Sequence, residues 1–191
     1  IPVPFSARDA QEQLIGATDV KIKELSQTSD NTKFYMVVGN TQGGVLFGFD
    51  MVSDTLIGDV NDGQRLPQSF DSNDGEINGM AVSGDGGKIY LSHTNKDKVS
   101  VVHNPTGTIT KSVIDLDGNV SDIVTNEVGD GIYALKSLDS QAHYAIANIS
   151  VSDDSVTETL IDLGTTISGN RLFLVKDIDK LYISSPASTS L

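Results

Sequence analysis

The sequence predicts an all-β fold built from short antiparallel strands. Residues 77–116 contain short apolar runs that are separated by turns rich in Gly, Asn, Asp and Pro. The same order of runs and turns recurs before and after this segment, and a tyrosine marks the same place in each recurrence. Because strands this short are joined by turns this tight, each must pair with its neighbour in the sequence.

The chain opens with a segment, residues 1–19, that does not follow the strand pattern. Ser6 and Asp9 have the spacing of a helix capping box, and the residues up to Ile15 are mostly good helix formers that end at Gly16. The favoured interpretation is an ordered lead-in or linker. One short helix is the alternative.

From residue 20 to residue 191 the pattern divides into four units. Their approximate bounds are 20–60, 77–116, 119–163 and 168–185. Each of the first three units contains four strand-like runs, whereas the fourth contains two. An acidic insertion, residues 59–76, separates the first unit from the second.

Fixed positions within the units show that they are repeats. The anchors are Tyr35, Tyr90, Tyr133 and Tyr182, which follow one another by 55, 43 and 49 residues. The residue ten positions before each tyrosine is always apolar, and the residue five positions before it is Asp in three of four cases. Three matching columns predict a genuine internal repeat.

A repeat of this length with four antiparallel strands is typical of a β-propeller blade. Each sheet is too small to bury both faces alone, so blades stack face to face around an axis. The sequence therefore predicts a β-propeller of four-stranded antiparallel blades, of which about three and a half are present as a partial ring. A stack of β-sandwiches is the main alternative, but it does not explain why tyrosine returns at one position.

Two segments of the second unit resemble a known repeat family. Residues 82–91 (VSGDGGKIYL) are similar to the pattern V-S-P-D-G-x-x-[IL]-Y-V of the YVTN and lactonase-like propeller repeats, with Gly84 in place of the usual Pro. Residues 99–107 (VSVVHNPTG) are similar to the next piece, V-S-V-[IV]-D-x-x-T-G, with His103 where Asp is usual, whereas Asp50 keeps that Asp in the first unit. The resemblance implies the fold and a ring that usually closes at seven blades, and it transfers no activity.

An arc of three and a half blades would leave blade faces and an edge strand open to water. We therefore expect the 191 residues to be a segment of a longer polypeptide whose remainder completes the ring. A homodimer of two arcs is a second interpretation. A small four-bladed ring, in which residues before 20 add an outer strand, is a third.

Composition limits the partners and the compartment. With 13 basic and 26 acidic residues the net charge is −13, which disfavours nucleic acid as a partner. No apolar run is long enough to span a bilayer. The chain has no cysteine, which removes disulfides and thiolate chemistry. The Asp, Asn, Ser, Thr and Gly content favours an extracellular, cell-surface or periplasmic protein, with a cytoplasmic location as the alternative.

The acidic insertion supplies the candidate metal ligands. Its carboxylates are Asp59, Asp62, Asp71, Asp74 and Glu76. Hard cations such as Ca²⁺ take six to eight oxygen ligands, so this loop is a candidate calcium site, although it lacks the order of an EF-hand loop. A solvated acidic loop is the favoured alternative. Residues 115–119 form a second cluster of oxygen ligands, for which an inter-blade turn is favoured.

No catalytic constellation stands out in the sequence. Antiparallel pairing predicts that His93 and His103 lie at opposite ends of one blade, and His143 begins a strand in the next, so no shared metal site follows. The sequence therefore predicts a non-catalytic binding or scaffold module, with no certain cofactor, that binds a protein or a glycan on the face where loops converge at the axis. The alternative is a lactonase-like propeller hydrolase with an active site on the channel face.

Overall fold

The computed structural model describes residues 20–41, 43–58, 65–70, 73–137, 144–161, 171–175 and 180–184. Within these residues all regular secondary structure is β-strand, in agreement with the all-β prediction. The lead-in at residues 1–19, with its alternative helix, lies outside the described residues, as does His143.

The strands form four consecutive antiparallel sheets. Sheet 1 contains β1 (Lys21–Gln27), β2 (Lys33–Asn40), β3 (Gly43–Asp50), β4 (Thr55–Ile57) and β5 (Gln68–Phe70). Sheet 2 contains β6 (Ile77–Val82), β7 (Lys88–His93), β8 (Lys98–His103) and β9 (Thr110–Asp115). Sheet 3 contains β10 (Asn119–Thr125), β11 (Gly131–Ser137), β12 (Tyr144–Ser150) and β13 (Val156–Ile161). Sheet 4 is the pair β14 (Arg171–Val175) and β15 (Lys180–Ser184). The first four strands of sheets 1, 2 and 3 pair in chain order, as a meander does.

The acidic insertion contributes to sheet 1, which the sequence did not indicate. Strand β4 pairs with one end of β3, and β5 from the insertion pairs with the other end. The chain leaves β4 through Gly58, whose φ is +101° and where a Cβ would lie 2.2 Å from the Leu66 carbonyl oxygen. Leu66 and Phe70 are buried in the core between sheets 1 and 2. The insertion therefore carries core residues as well as carboxylates.

The strand register confirms the tyrosine repeat. In every sheet the residue ten positions before the tyrosine pairs with the residue that follows the tyrosine. The pairs are Leu25 with Met36, Met80 with Leu91, Ile123 with Ala134, and Leu172 with Ile183. Equal spacing in the sequence thus corresponds to equal places in four sheets.

Aspartates in the repeated turns bond to their own turn. The Asp30 carboxylate accepts hydrogen bonds from the Thr28 hydroxyl at 2.6 Å and from the Thr32 amide at 3.0 Å. The Asp85 carboxylate accepts one from the Ser83 hydroxyl at 2.6 Å. These bonds, the Thr28 bond first, lower the pKa of Asp30 to about 2, and the Ser83 bond leads in lowering the pKa of Asp85. Both aspartates therefore stay ionised and act as turn residues.

The sheets stack face to face in one direction. Tyr35 lies in the core between sheets 1 and 2, and Tyr90 lies in the core between sheets 2 and 3, so each faces the following sheet. Ile89 and Leu91, which flank Tyr90, face back into the core with sheet 1. The alternation follows from the period of two along a strand.

Sheet 4 presents an apolar face with the same directional pattern. Tyr182 occupies the tyrosine column and is 50% exposed, and Phe173 beside it is 56% exposed. In the three preceding sheets this column faces the next sheet. Sheet 4 therefore carries the packing residues for a further sheet.

Phenylalanine at Tyr90 and at Tyr35 is expected to give opposite results. The Tyr90 hydroxyl donates to the Asp154 carboxylate at 2.9 Å, whereas the Tyr35 hydroxyl is buried without a hydrogen-bond partner among the described residues. A hydrogen bond to a charged group stabilises by about 1.5–3 kcal/mol, so Tyr90→Phe should lower the free energy of unfolding by that amount. Tyr35→Phe should leave it unchanged or raise it. Urea denaturation of both variants is the measurement, and equal losses would contradict the expectation.

Candidate functional site

The first strand of each sheet lies closest to the common axis of the stack. These four strands, β1, β6, β10 and β14, are called the axial strands. Strand β6 packs between β1 and β10, and β10 also packs on β14. Direct hydrogen bonds join β6 to β10, because the Asn78 amide donates to the Val120 carbonyl at 3.1 Å and the Thr125 hydroxyl donates to the Val82 carbonyl at 2.8 Å. Side chains from all four sheets therefore meet along this side.

A β-bulge recurs at one place in three axial strands. The pairing register shifts at Lys23 in β1, at Asn78 in β6 and at Ser121 in β10. Each of these residues stands twelve positions before the tyrosine of its sheet. A bulge re-aims the side chains beside it and is common near functional sites. The repeated bulge thus sets the direction of the polar residues that follow.

The residue after the bulge position builds an ion cluster that links three sheets. The position is occupied by Glu24 in β1, by Asp122 in β10 and, eleven residues before Tyr182, by Arg171 in β14. The Arg171 guanidinium lies 3.0 Å from the Glu24 carboxylate and 3.7 Å from the Asp122 carboxylate. These three residues are called the axial ion cluster.

Asp122 is the buried member of this cluster. Its residue exposure is 5%, and its carboxylate accepts a hydrogen bond from the Leu172 amide at 2.8 Å. Burial raises the pKa of Asp122 to about 6, although the Leu172 bond and Arg171 oppose the shift. Gly79 fills the equivalent position in sheet 2, where a Cβ would lie 2.8 Å from the Asp122 carboxylate. A buried carboxyl with a raised pKa therefore lies midway along the axial strand β10.

A cleft of about 350 Å³ opens beside the last residues of the axial strands β1, β6 and β10. Its apolar lining comes from Leu25, Met80, Val82 and Val124. Its polar lining comes from Ser26, Gln27, Ser29, Thr125, Asn126 and Glu127. The volume is in the range of small-ligand pockets, and equivalent segments of sheets 1, 2 and 3 contribute to it.

The turns beside the cleft are bonded to one another. They span residues 28–32, 83–87 and 126–130 and are called the turn belt. The Ser29 hydroxyl donates to the Gly84 carbonyl at 2.6 Å, and the Gly84 amide donates to the Gly129 carbonyl at 2.8 Å. A Cβ at Gly84 would lie 2.9 Å from the Gly129 Cα. Proline, which the repeat family has at this position, lacks the amide donor, so glycine meets a requirement of this chain.

The structure describes only part of the candidate calcium site. Asp59, Asp62 and Asp71 lie outside the described residues. Asp74 is half-buried, and Glu76 forms an ion pair with Lys23 of β1. Among the described residues no group of three or more acidic or histidine side chains is placed to hold a metal ion. The calcium site stays a prediction.

A lysine ammonium lies beside the second oxygen cluster, residues 115–119. Lys136 is buried, and its ammonium donates to the Leu116 carbonyl and to the Asp117 carbonyl, the latter at 3.3 Å. It also forms an ion pair with Glu158. The carbonyl oxygens of this turn are therefore bonded to a side chain of the same protein, which favours the interpretation as an inter-sheet turn.

The histidines are separated as expected, but one has a partner that the sequence did not reveal. His93 pairs with Ile77 at one end of β7, and His103 pairs with Lys88 at the other. The His93 Nε2 lies 2.8 Å from the Ser100 hydroxyl, and both residues are buried. Burial lowers the pKa of His93, so the ring is neutral at neutral pH. This Ser–His pair lies in the core rather than on the cleft.

Comparisons with known proteins show which fold the chain has. No protein-family model and no curated protein matches the sequence. Among solved structures, the Dos1 propeller is 11% identical with a TM-score of 0.61 and a match over 88% of this chain and 40% of its own. The chain folds as a sector of a β-propeller. Its sheets are blades, and the axial strands line the propeller axis.

Two further similar propellers differ in what their descriptions state. One comes from a nidogen/laminin complex, at 15% identity and a TM-score of 0.60, with a match over 86% of this chain and 56% of its own. The other is described as a candidate 6-phosphogluconolactonase from Bacteroides fragilis, at 14% identity and a TM-score of 0.58, with a match over 87% of this chain and 48% of its own. The present chain thus spans between two fifths and three fifths of the length of these three proteins. At these identities the likeness shows the fold alone.

No helix in the described parts of the chain has the length and apolar character needed to cross a membrane.

Proposed function

We propose that this propeller sector is a non-catalytic binding module whose axial side docks a protein partner. The observation that supports the proposal most strongly is the cleft, because it is built from the same repeat positions of three consecutive blades. Loops and strand ends that converge at an axis form a preformed concave surface, which is the usual setting of a binding site.

The distribution of the buried polar groups favours binding over catalysis. The Ser–His pair of Ser100 and His93 is buried between blades, so a substrate would not reach it. The polar side chains Ser29, Thr125 and Asn126 on the cleft are engaged in hydrogen bonds within the belt and between blades. A nidogen/laminin complex among the similar structures shows that this fold also occurs in a protein assembly.

The setting of this module is also a proposal. An acidic chain without cysteine fits a secreted or cell-surface protein, and a glycan is the second class of partner that such a surface could bind. Further blades complete the ring, either from more of the same polypeptide or from a second copy. The exposed Tyr182 and Phe173 support this, because their column is covered by the next blade elsewhere in the stack.

A photo-crosslinking residue on the cleft tests the proposal. Gln27 is exposed on the cleft, whereas Ser53 is exposed in the turn after β3, away from the axial strands. A crosslinker at Gln27 should capture a protein from the source extract, and Ser26→Trp, which fills the cleft, should abolish the capture. Capture from Ser53 alone, or capture that Ser26→Trp leaves unchanged, would contradict the proposal.

A lactonase-like hydrolase is the second candidate function. Asp122 favours it by its chemistry, because a carboxyl with a raised pKa beside Arg171 has the properties of an acid–base group, although its 5% exposure makes it as inaccessible as Ser100. Hydrolysis of any member of a lactone panel, with loss of the activity in Asp122→Asn, would establish it. No hydrolysis across the panel, or activity that survives this substitution, would remove it.

The predicted calcium site has a simple thermal test. If the carboxylates of the acidic insertion bind Ca²⁺, a chelator should lower the melting temperature, because a ligand that binds only the folded state stabilises it. Magnesium in place of calcium is the control for ionic strength. An unchanged melting temperature would exclude stabilisation by calcium.

A further inference from the structure

The chemistry of the cleft indicates what kind of group it takes, and this inference rests on the proposed function. One side is apolar, and Leu25 is 55% exposed there. Among the described residues no basic and no aromatic side chain lines the cleft, and Glu127 is the one charged residue of this described lining. An anionic ligand would meet no compensating charge at this surface. The lining therefore favours a group with an apolar stem and a positive end.

The surroundings of the cleft strengthen this preference for positive charge. The turn belt carries Asp30, Asp85, Glu127 and Asp130. Asp30 and Asp85 are held ionised by hydrogen bonds from their own turns. The Lys88 ammonium near the belt is bound to Asp154 at 2.7 Å and to the Val151 carbonyl at 2.7 Å. Lys33, which begins β2, lies next to the first turn and offsets part of this charge.

Glycan recognition is less well supported by the same lining. Sugar rings are bound through many hydrogen-bonding groups, but the Ser29 hydroxyl is bonded to Gly84, the Thr125 hydroxyl to Val82 and the Asn126 amide group to Gly129 and Asp130. In the described lining, Ser26, Gln27 and Glu127 remain as the polar side chains that can face a ligand. Three such groups beside an aliphatic surface suit a single side chain better than a sugar.

We infer that the cleft binds a lysine or arginine side chain of the protein partner, with its aliphatic stem on Leu25, Met80 and Val124 and its cationic end at Glu127. Such a side chain combines an apolar stem with a charged head, which matches the two parts of the lining. Attraction to the acidic belt also accelerates the encounter with a basic partner and makes it dependent on salt.

Titration of the isotope-labelled chain with short capped peptides tests the inference. The probes are acetyl-Gly-Xaa-Gly-amide peptides with Lys, Arg, Leu or Glu at Xaa. A neutral trisaccharide is added to represent a glycan ligand. The Lys or Arg peptide should shift the amide resonances of residues 25–29, 80–84 and 124–129. The Leu peptide, the Glu peptide and the trisaccharide should not.

Two variants and a matched control give the test its specificity. Glu127→Gln should weaken the binding of the Lys or Arg peptide about two- to fivefold, the size expected for loss of an exposed ion pair. Leu25→Ser should weaken it by a similar factor through loss of the stem contact, and the variant should stay folded because Leu25 is exposed. Asp54→Asn removes the same charge from an exposed turn of sheet 1. It should change the affinity for the peptide only by the small amount that follows from the altered net charge.

Equal weakening by Glu127→Gln and Asp54→Asn would overturn the inference, because it would show diffuse attraction to an acidic protein. Shifts of the cleft resonances by the trisaccharide and not by the peptides would overturn it in favour of a glycan. If the peptides fail while Gln27 still captures a protein that Ser26→Trp excludes, this inference fails alone. If both experiments fail, the proposed function fails with it.

Discussion

Replacing Gly84 by proline is expected to lower the free energy of unfolding by about 3 kcal/mol, through a lost hydrogen bond and through crowding together. The substitution removes the amide that donates to the Gly129 carbonyl at 2.8 Å, so a contact between two blades is lost. It also places side-chain atoms where a Cβ alone would lie 2.9 Å from the Gly129 Cα. A shift of Gly129 would disturb its own turn, because its amide donates to the Asn126 carbonyl at 3.2 Å. Urea denaturation measures the loss.

Two neighbouring substitutions separate these causes. Gly84→Ala keeps the amide but adds the Cβ, so it should lose about 1–3 kcal/mol through crowding. Gly87→Ala lies in the same turn, and the atoms nearest to its Cβ would belong to the Asp85 side chain, from 3.1 Å, which can rotate away, so it should lose much less. A Gly84→Pro variant as stable as Gly87→Ala would show that the contact between the turns of blades 2 and 3 does not stabilise the stack.

The wild-type protein is expected to lose about 3 kcal/mol of stability as pH rises because Asp122 ionises, and a variant without this charge should not show the loss. The pKa of Asp122 is raised to about 6 in the folded protein, chiefly by burial, from 3.8. Between these values the folded state binds a proton that the unfolded state has released, so stability falls as pH rises through the interval. The full cost is present at pH 7, where the buried carboxyl must ionise. Glu24 and Arg171 face this carboxyl with opposite charges.

Asp122→Asn retains an oxygen that can accept the hydrogen bond from the Leu172 amide, but the asparagine side chain does not titrate. The free energy of unfolding of the wild type, minus that of the variant, should therefore fall by about 3 kcal/mol between pH 3 and pH 7. The difference is needed because His93 acts in the opposite direction: its lowered pKa makes stability fall as pH drops below about 6.5. A difference that is flat with pH would contradict the environment assigned to Asp122.

The repeat could be read from the sequence because it is local. Turn residues such as Asp85 bond within their own turn, and Tyr90 stands at a fixed distance from that turn, so a short window contains the whole signal. The register of all four sheets follows from this spacing. Gly84 was visible as a departure from the family pattern, but its reason was not, because Gly129 belongs to the next blade.

The candidate site could not be read in the same way because its contacts join distant segments. Arg171 and Glu24 are 147 residues apart, and the bulges that direct the axial side chains change no residue spacing within a strand. Aligning the four tyrosine columns would have placed Glu24, Asp122 and Arg171 at one position, which was the available signal. The strand β5 was hidden by the acidic composition of the insertion around it.

Hydrogen exchange of the chain with and without its crosslink-identified partner tests the binding account most directly. Slower exchange is expected at residues 25–29, 80–84 and 124–129, because these segments line the cleft in three blades. The outer strands β4, β9 and β13 should exchange at unchanged rates and serve as the internal control. Protection confined to the outer strands, with the axial segments unchanged, would contradict a binding site at the propeller axis.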